Sequence, residues 1–481
     1  MVGIVAYGGY VPRARLNREA VYAANKWFAA GLRGQAKGER SMANWDEDAV
    51  TMAVEAARDC LTGFKAEDVD TLSFASTTLP FKDRQNAGVI GTALHREQGL
   101  AAQDFAGSLK CATSALKSGL DSAQAGRKVM VAASDKRRAR VASANELQFG
   151  DGAAALLLGT EKVIAKYLGG NSVSMDFVDH FRGDEGEFDF GWEERWIRDE
   201  GYVKIVPAAV KAALAAAKLT GADIAHFCMP SLMGAIPKQM AKMAGIGETA
   251  VRDSLAANLG DTGAAHPLMM LVHALQDAKP GDRIMVVAFG QGCDVLIFQV
   301  TDEIAKLPPR KGIVGWLSRR KEEKNYLKFL AFQDMLPLDK GMRADFDKKT
   351  ALSILWRKRD MLYGLIGGKC RVCGTLQFPK SQICVNPNCG AQDSQDDQAF
   401  SGMTCSIMSW SADSLTYTPD PPAYYGMITF PEGGRFMADF TDCDAEQVKV
   451  GQKMRMTFRI RDVDSLRGNF KRYFWKATPV D

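Results

Sequence analysis

The sequence predicts a layered α/β body built by duplication, followed by a cysteine-rich metal-binding module and a small all-β barrel. Three observations carry that prediction: the first part of the chain repeats itself at a displacement of 155 residues, four cysteines lie within twenty residues, and short alternating strands close the chain. With 481 residues, 46% hydrophobic and 25% charged, the chain has material for roughly two to four domains and is neither a disordered tail nor a coiled coil. The 61 Lys and Arg against 57 Asp and Glu leave a net charge of +4, too balanced for a protein that coats nucleic acid or an anionic membrane.

The repeat is legible residue by residue. Gly126-Arg-Lys-Val-Met-Val-Ala-Ala matches Gly281-Asp-Arg-Ile-Met-Val-Val-Ala, and Asp68-Val69 falls on Asp223-Ile224, each just before a short apolar run. Upstream, the stretch from Ser114 matches the stretch from Met269; downstream, Gly150-Asp-Gly resembles Gly290-Gln-Gly. Helical periodicity marks 50–61 and 208–219, whereas 71–76, 129–133, 155–158, 284–288 and 295–300 are short apolar runs bounded by Gly or charge, as buried strands are. Alternating strands and helices in two copies predict two pseudo-equivalent halves packed face to face.

Beyond Thr301 the texture changes. Pro308-Pro309-Arg310-Lys311 has the composition of a linker, and 316–363 mixes aromatics and charges at helical spacing, with Arg319-Arg320-Lys321 expected on a solvated helix face. Cys370-x2-Cys373 and Cys384-x4-Cys389, each pair followed by glycine, then have the spacing of a zinc ribbon. Four thiolates saturate tetrahedral Zn²⁺ and leave no open position, so the expected role is structural. The strands Thr404–Trp410, Met427–Phe430, Phe436–Phe440, Met454–Ile460 and Tyr473–Ala477 predict a five-stranded barrel.

Phe470-Lys-Arg-Tyr-Phe-Trp-Lys476 interleaves bases with aromatics, as single-strand binders do. Alternation, however, puts Phe470, Arg472, Phe474 and Lys476 on one face and Lys471, Tyr473 and Trp475 on the other, the pattern of an ordinary barrel strand, so no nucleic-acid partner is expected. Six cysteines scattered singly indicate a reducing compartment. The N-terminus lacks a basic n-region, and no stretch approaches the roughly 20 apolar residues of a membrane span. A cytoplasmic protein without a membrane anchor is expected.

At the level of motifs, the segment Asp104-Phe-Ala-Gly-Ser-Leu-Lys-Cys-Ala-Thr-Ser-Ala-Leu116, with Gly126, 129–135 and 146–159, resembles the thiolase superfamily in its ketoacyl-ACP synthase III and hydroxymethylglutaryl-CoA synthase branches. The tail, ending Tyr473-Phe-Trp-Lys-Ala-Thr-Pro-Val, resembles the zinc-ribbon/OB-fold proteins that associate with thiolases and acyl-CoA enzymes. The resemblance implies a duplicated five-layered thiolase-like fold over 1–165 and 166–305, a linker with helices over 306–365, a zinc ribbon over 366–399 and an OB-fold barrel over 400–481. It also implies a homodimer and chemistry on coenzyme A thioesters. In the archaeal mevalonate pathway, thiolase, synthase and zinc-ribbon protein form one assembly of separate chains; here the last two would be fused, leaving a thiolase subunit as the expected partner.

The family's catalytic slots are displaced. The nucleophilic cysteine slot falls on Leu109, two residues before Cys111; the glutamate slot falls near Thr77; and the histidine slot falls on Cys228, two residues after His226. The asparagine slot lies in 258–263, at Asn258, Gly260 or Asp261. Two readings follow. In a rebuilt site, Cys111 is nucleophile or acyl carrier, His266 (pseudo-equivalent to Cys111 through the repeat) or His226 is the base, and Gly290 and Gly292 offer N–H groups to an oxyanion. In a silent site, Cys111 is a core thiol and His266 a helix-terminal histidine satisfied by backbone. The expected function is that of an acyl-CoA-handling, synthase-like protein making or breaking a carbon–carbon bond next to a thioester, within a thiolase-containing complex. The alternative is a non-catalytic acyl-CoA-binding or scaffold subunit.

Overall fold

A computed structural model describes residues 1–341 and 351–480, so 342–350 of the expected linker and the last residue of the barrel domain lie outside the described residues. The chain forms two compact units. The first holds Met1–Asn44, Asp48–Gly88 and Gln98–Phe329; the second holds Trp45–Glu47, Val89–Glu97 and the chain from Leu330.

In the first unit, the strands of the amino-terminal half are β1 (Gly3–Tyr10), β2 (Thr71–Ala75), β3 (Ala101–Phe105), β4 (Val129–Asp135) and β5 (Gly152–Gly159). Those of the second half are β6 (Ala165–Ser174), β7 (His226–Cys228), β8 (Arg283–Phe289) and β9 (Gly292–Val300). The half-sheets run β1-β5-β4-β2-β3 and β6-β9-β8-β7, the same order in both copies. An isolated parallel bridge from Phe227 to Val251 stands where a fifth strand would complete the second. Two residue pairs, Gly3 with Lys166 and Ile4 with Ala165, join the halves into one nine-stranded sheet.

Four helices complete the layers: α1 (Ala49–Cys60), α2 (Cys111–Gln124), α3 (Val203–Ala217) and α4 (His266–Leu275). The helices α2 and α4 touch each other, and each reaches strands of both halves, whereas α1 packs only on the first half-sheet and α3 only on the second. The result is the expected five layers. Strands such as β4 and β5 are buried along their whole length because helices cover both faces, which is why they read as continuous apolar runs. Asp48 caps α1 by accepting from the Thr51 amide at 3.0 Å while Thr51 Oγ1 accepts from the Asp48 amide at 2.8 Å, a reciprocal box contributing about 0.5–2 kcal/mol.

The stretch with linker composition is not a free linker. Arg310 donates to the carbonyls of Tyr7, Cys60 and Thr62, and the Asp59 carboxylate accepts from the amides of Lys311 and Gly312. Arg319-Arg320-Lys321 is not a helix face either. The helix Gly312–Ser318 stops before it, Lys321–Glu323 adds a parallel strand to Ala14–Asn17, and Arg320 pairs with Glu39. Strand addition outcompetes the local helical pattern here.

In the second unit, Ile366–Cys370, Leu376–Gln377 and Gln395–Ala399 form a three-stranded ribbon. The barrel strands β10 (Thr404–Asp413), β11 (Ala423–Thr429), β12 (Arg435–Asp439), β13 (Lys453–Asp464) and β14 (Phe470–Pro479) run in the order β12-β11-β10-β13-β14, all antiparallel. A bridge from Phe440 to Ala477 brings the two edges together. Simple alternation fails on β14: Tyr473 and Trp475 are buried as expected, but so are Arg472 and Lys476. Arg472 pairs with Asp462 and Asp464, and Lys476 with Asp46 at 2.9 Å over the Trp45 ring. Arg459 is buried among Asp46, Glu47 and Asp442. No helix among the described residues is long and apolar enough to cross a membrane.

Removing one partner of a buried ion pair leaves the other charge desolvated, a loss of about 3–5 kcal/mol. Arg459→Met is therefore expected to lower the urea midpoint of the barrel-containing transition strongly. A midpoint within error of the parent would show that the Asp46–Arg459–Asp442 network carries no stability.

Candidate active site and metal centre

The loops that close the body converge on one carboxylate. Asp135, the last residue of β4, is fully buried and accepts from Ser76 Oγ (2.8 Å), the Thr77 amide (2.7 Å) and hydroxyl (2.9 Å), and the Thr78 amide (3.1 Å) and hydroxyl (3.0 Å). Its sixth donor is the Ala264 amide at 2.8 Å, just before α4. The end of β2, the end of β4 and the entry to α4 are thus held together, two from the first half and one from the second. Gly290, after β8, lies against the start of α2: its carbonyl accepts from Ser108 Oγ at 2.7 Å. A Cβ on Gly290 would stand 2.9 Å from Ser108 Oγ, 3.1 Å from the Lys110 amide and 3.2 Å from that of Leu109, so a larger residue would push this loop back.

Cys111 opens α2 and His266 opens α4, so the two pseudo-equivalent positions do start paired helices. Their chemistry differs from a nucleophile–base pair. Burial pushes the Cys111 thiol well above its ordinary range, and the Asp135 charge adds to the shift. A helix N-terminus favours an anion by about 0.3–1 kcal/mol, under one pKa unit, whereas full burial shifts a group by up to about 3–5 units. Burial wins. His266 accepts from the Thr262 amide at Nδ1 (2.9 Å) and donates from Nε2 to the Ser254 carbonyl (2.8 Å), so both ring nitrogens are engaged. Cys228 is buried, its thiol pushed up to about 12 by burial and directed at the Met270 carbonyl. His226 stands at the opposite end of β7 from Cys228 and pairs with Asp282 at 3.1 Å, before β8 begins. The Gly290 amide donates to the Gly292 carbonyl at 3.1 Å, while Gly292 pairs with Ser174 in β6. The strand ends therefore bring Cys111, His266 and the Gly290 loop to one side of the body, but not His226. Leu109, two residues before α2, is half-buried.

Charged residues that the sequence did not single out fill the same region. Arg137, two residues beyond Asp135, donates to Asp189 from Nε (3.0 Å) and Nη2 (2.6 Å) and to Asp261 from Nη1 (3.2 Å), with its guanidinium 3.8 Å from the Phe149 ring centroid. Arg182 donates to the other Asp189 oxygen at 2.8 Å and to the Thr77 carbonyl. Burial alone would raise the Asp189 carboxyl, but the guanidiniums of Arg137 and Arg182 hold it below its usual range. Near the first turn of α2, buried Asp294 accepts from Thr113 and Ser114 hydroxyls at 3.0 and 2.8 Å and from Lys110 at 3.3 Å. The one available signal was Asp135-Lys-Arg137 directly after a buried strand, followed by Asp261 in the segment already marked for the asparagine slot.

The four cysteines of the ribbon do come together, with all four Sγ atoms within 4.8 Å of one another. Cys370 and Cys389 are 3.9 Å apart and Cys373 and Cys384 3.5 Å, against about 3.8 Å for thiolates placed tetrahedrally around zinc at about 2.3 Å. Gly374 and Gly390 take positive φ of 75° and 58° at the two knuckle turns. The donor set fits a tetrahedral thiolate-bound zinc, and four cysteines leave no coordination site for a substrate.

Residues 214–298 match the family model described as 3-oxoacyl-[acyl-carrier-protein] synthase III C terminal, and 398–459 match the ChsH2 C-terminal OB-fold domain. A hydroxymethylglutaryl-CoA synthase of Methanosarcina mazei is 30% identical over 331 residues, 66% of this chain and 93% of that protein. The corresponding synthase of Pyrococcus horikoshii is 28% identical over 334 residues, again 66% and 93%. Among solved structures, MvaS in complex with 3-hydroxy-3-methylglutaryl coenzyme A aligns with a TM-score of 0.58 at 21% identity, covering 70% of this chain and 92% of MvaS. FabH of Pseudomonas aeruginosa aligns at 0.56 and 19%, covering 62% of this chain and 98% of FabH.

Two outcomes are expected. Protein purified without chelator carries one equivalent of zinc, and Cys373→Ser loses it together with folding energy on the order of 10 kcal/mol for the ribbon; less than half an equivalent in the parent would refute a zinc site. The raised Cys111 thiol stays protonated at neutral pH, so iodoacetamide should leave it unlabelled at pH 7 and modify it slowly even at pH 9; labelling within minutes at pH 7 would contradict the burial argument.

Proposed function

This chain belongs to the hydroxymethylglutaryl-CoA synthase family, and from that premise we propose that it handles acyl-CoA, acting on the carbon–carbon bond next to a coenzyme A thioester as one component of a thiolase-containing assembly. The observation that supports this best is the convergence of loops from both halves on Asp135, with the Gly290 loop seated at the start of α2. That arrangement brings loops from both copies of the fold to one place. A separate groove of about 720 Å³ sets Arg33, Lys37 and Arg320 beside Glu19 and Glu39, so carboxylates offset part of its positive charge. The ribbon holds structural zinc in this reading, the body pairs as a homodimer, the barrel docks a thiolase subunit, and the assembly works in the cytoplasm.

A second reading, a non-catalytic acyl-CoA-binding or scaffold subunit, is favoured by the state of Cys111 and His266. A thiol kept protonated by burial is a poor nucleophile, and an imidazole whose Nδ1 already accepts from the Thr262 amide has no lone pair free to take a proton. Carbon–carbon chemistry in this body would therefore proceed without an acyl group on Cys111, or in the partner.

Titration calorimetry with acetyl-CoA should give saturable binding; no heat at any concentration removes both readings. Purification from the native source should bring a thiolase, whereas a homodimer alone counts against the assembly. Turnover of the thiolase with and without this chain separates the rest. A gain of about tenfold or more, unchanged in Cys111→Ala, supports participation in the reaction, and equal rates support a scaffold.

A further inference from the structure

The barrel strand β10 outruns one of its partners. Thr404–Ser406 pair with β13 on one edge, but from Met408 to Asp413 no strand lies on that edge among the described residues, while β11 continues on the other. A bulge between Ile407 and Ser409 bends the strand where the barrel pairing ends. Burial changes at the same place: Cys405 and Ile407 are buried, whereas Met408 through Ala412 are all exposed. The strand pair therefore leaves the barrel as a two-stranded arm. A two-stranded ribbon with no covered face is only marginally stable in water.

Exposed edges are ordinarily blunted by charge or by cover. The edge strand β3 carries Asp104, the edge strand β12 carries Arg435 and Asp439, and β14 is met by Phe440 through the bridge to Ala477. The arm of β10 has none of these devices. Thr404 to Ala412 includes neither a charge nor a proline. Asp413 spends its carboxylate on the turn, accepting from the amides of Leu415 and Thr416 and from the Thr416 hydroxyl. Met408 is 51% exposed and Trp410 43%. Gly426 stands opposite Trp410, so the indole has no side chain directly across from it on β11.

We propose that the open edge of β10 pairs with the same edge of a second copy of this chain, antiparallel across a two-fold axis, giving a four-stranded sheet in the order β11-β10-β10-β11. The sequence is its own complement in that arrangement. Centred on Trp410, Ser409 of one copy meets Ser411 of the other and indole meets indole. No like charges are brought together, because the segment carries none. An isologous contact of this kind closes at two copies and does not propagate into a fibre. Strands this short bury well under the roughly 1,000 Å² of a stable interface, so the contact on its own is reversible and concentration-dependent. Such pairing is independent of whether the chain handles acyl-CoA.

Disulfide trapping on the full chain tests the pairing. In Trp410→Cys the two-fold places thiols opposite each other, and mild oxidation should link two chains about tenfold faster than in the parent. Leu466→Cys, exposed in the turn between β13 and β14, should stay at the parent's rate. Sedimentation equilibrium of the unmodified chain should show a mass that doubles with rising concentration. Trp410→Lys, which sets two like charges at the axis, should raise that dissociation constant about tenfold. Linkage at position 410 no faster than at 466 overturns the proposal, and so does an unchanged dissociation constant in Trp410→Lys. Suppression of linkage at 410 by a co-purified protein of another sequence assigns the edge to a different subunit and also overturns it. Should the Trp410 variants not fold, the double variant Ser409→Cys with Ser411→Cys, whose thiols face each other in this register, decides by the same readout.

Discussion

Six hydrogen bonds onto the Asp135 carboxylate hold the body's functional end together. A buried carboxylate without donors would be costly, and here every donor comes from a loop that would otherwise be free to move. Ser76, Thr77 and Thr78 are pinned after β2, and Ala264 is pinned before α4. With those loops set, Gly290 can approach Leu109 and Lys110, and Arg137 can reach Asp261 and Asp189. The same charge acts on Cys111, whose thiol burial already raises. One interaction thus ties loops of the two halves together and adds to the raised state of the Cys111 thiol.

The second unit is organised by charge rather than by apolar area alone. Asp46, Glu47, Asp442, Arg459 and Lys476 are all buried, and the strand that reads as an aromatic–basic recognition ribbon spends Arg472 and Lys476 on internal carboxylates. Its cations serve the fold. The ribbon adds a second non-hydrophobic constraint, four thiolates at zinc-compatible separations, in a stretch with few buried apolar residues of its own. Small modules of this kind gain little from core packing against the entropy of ordering, and here buried paired charges and a cysteine cluster fit for a metal supplement it.

Much of the body was legible because buried strands leave a plain trace. The runs at 129–133, 155–158, 284–288 and 295–300 lie in strands, 71–76 does so up to Ala75, and the displacement of 155 residues carries the start of α2 onto the start of α4. The strand Ala101–Phe105 was not legible: it is an edge strand, largely exposed, and its Ala-Ala-Gln-Asp-Phe has no apolar signature. The strand Ala165–Ser174 was hidden by glycines and polar residues. Of the site, the four ribbon cysteines and the meeting of the two helix starts could be read. The links among Asp135, Arg137, Asp189 and Asp261 could not, because an ion pair between residues 52 or 124 positions apart has no local pattern.

Sequence alone indicated the duplication, the ribbon and the barrel, since periodicity, self-similarity and cysteine spacing are local properties that survive without coordinates. Tertiary structure decided what the displaced groups can do. Burial governs the state of a thiol, and only the folded chain shows Cys111 enclosed beside Asp135, His266 committed at both nitrogens, and Arg137 paired with Asp189. Those are properties of neighbours in space, and no spacing along the chain encodes them.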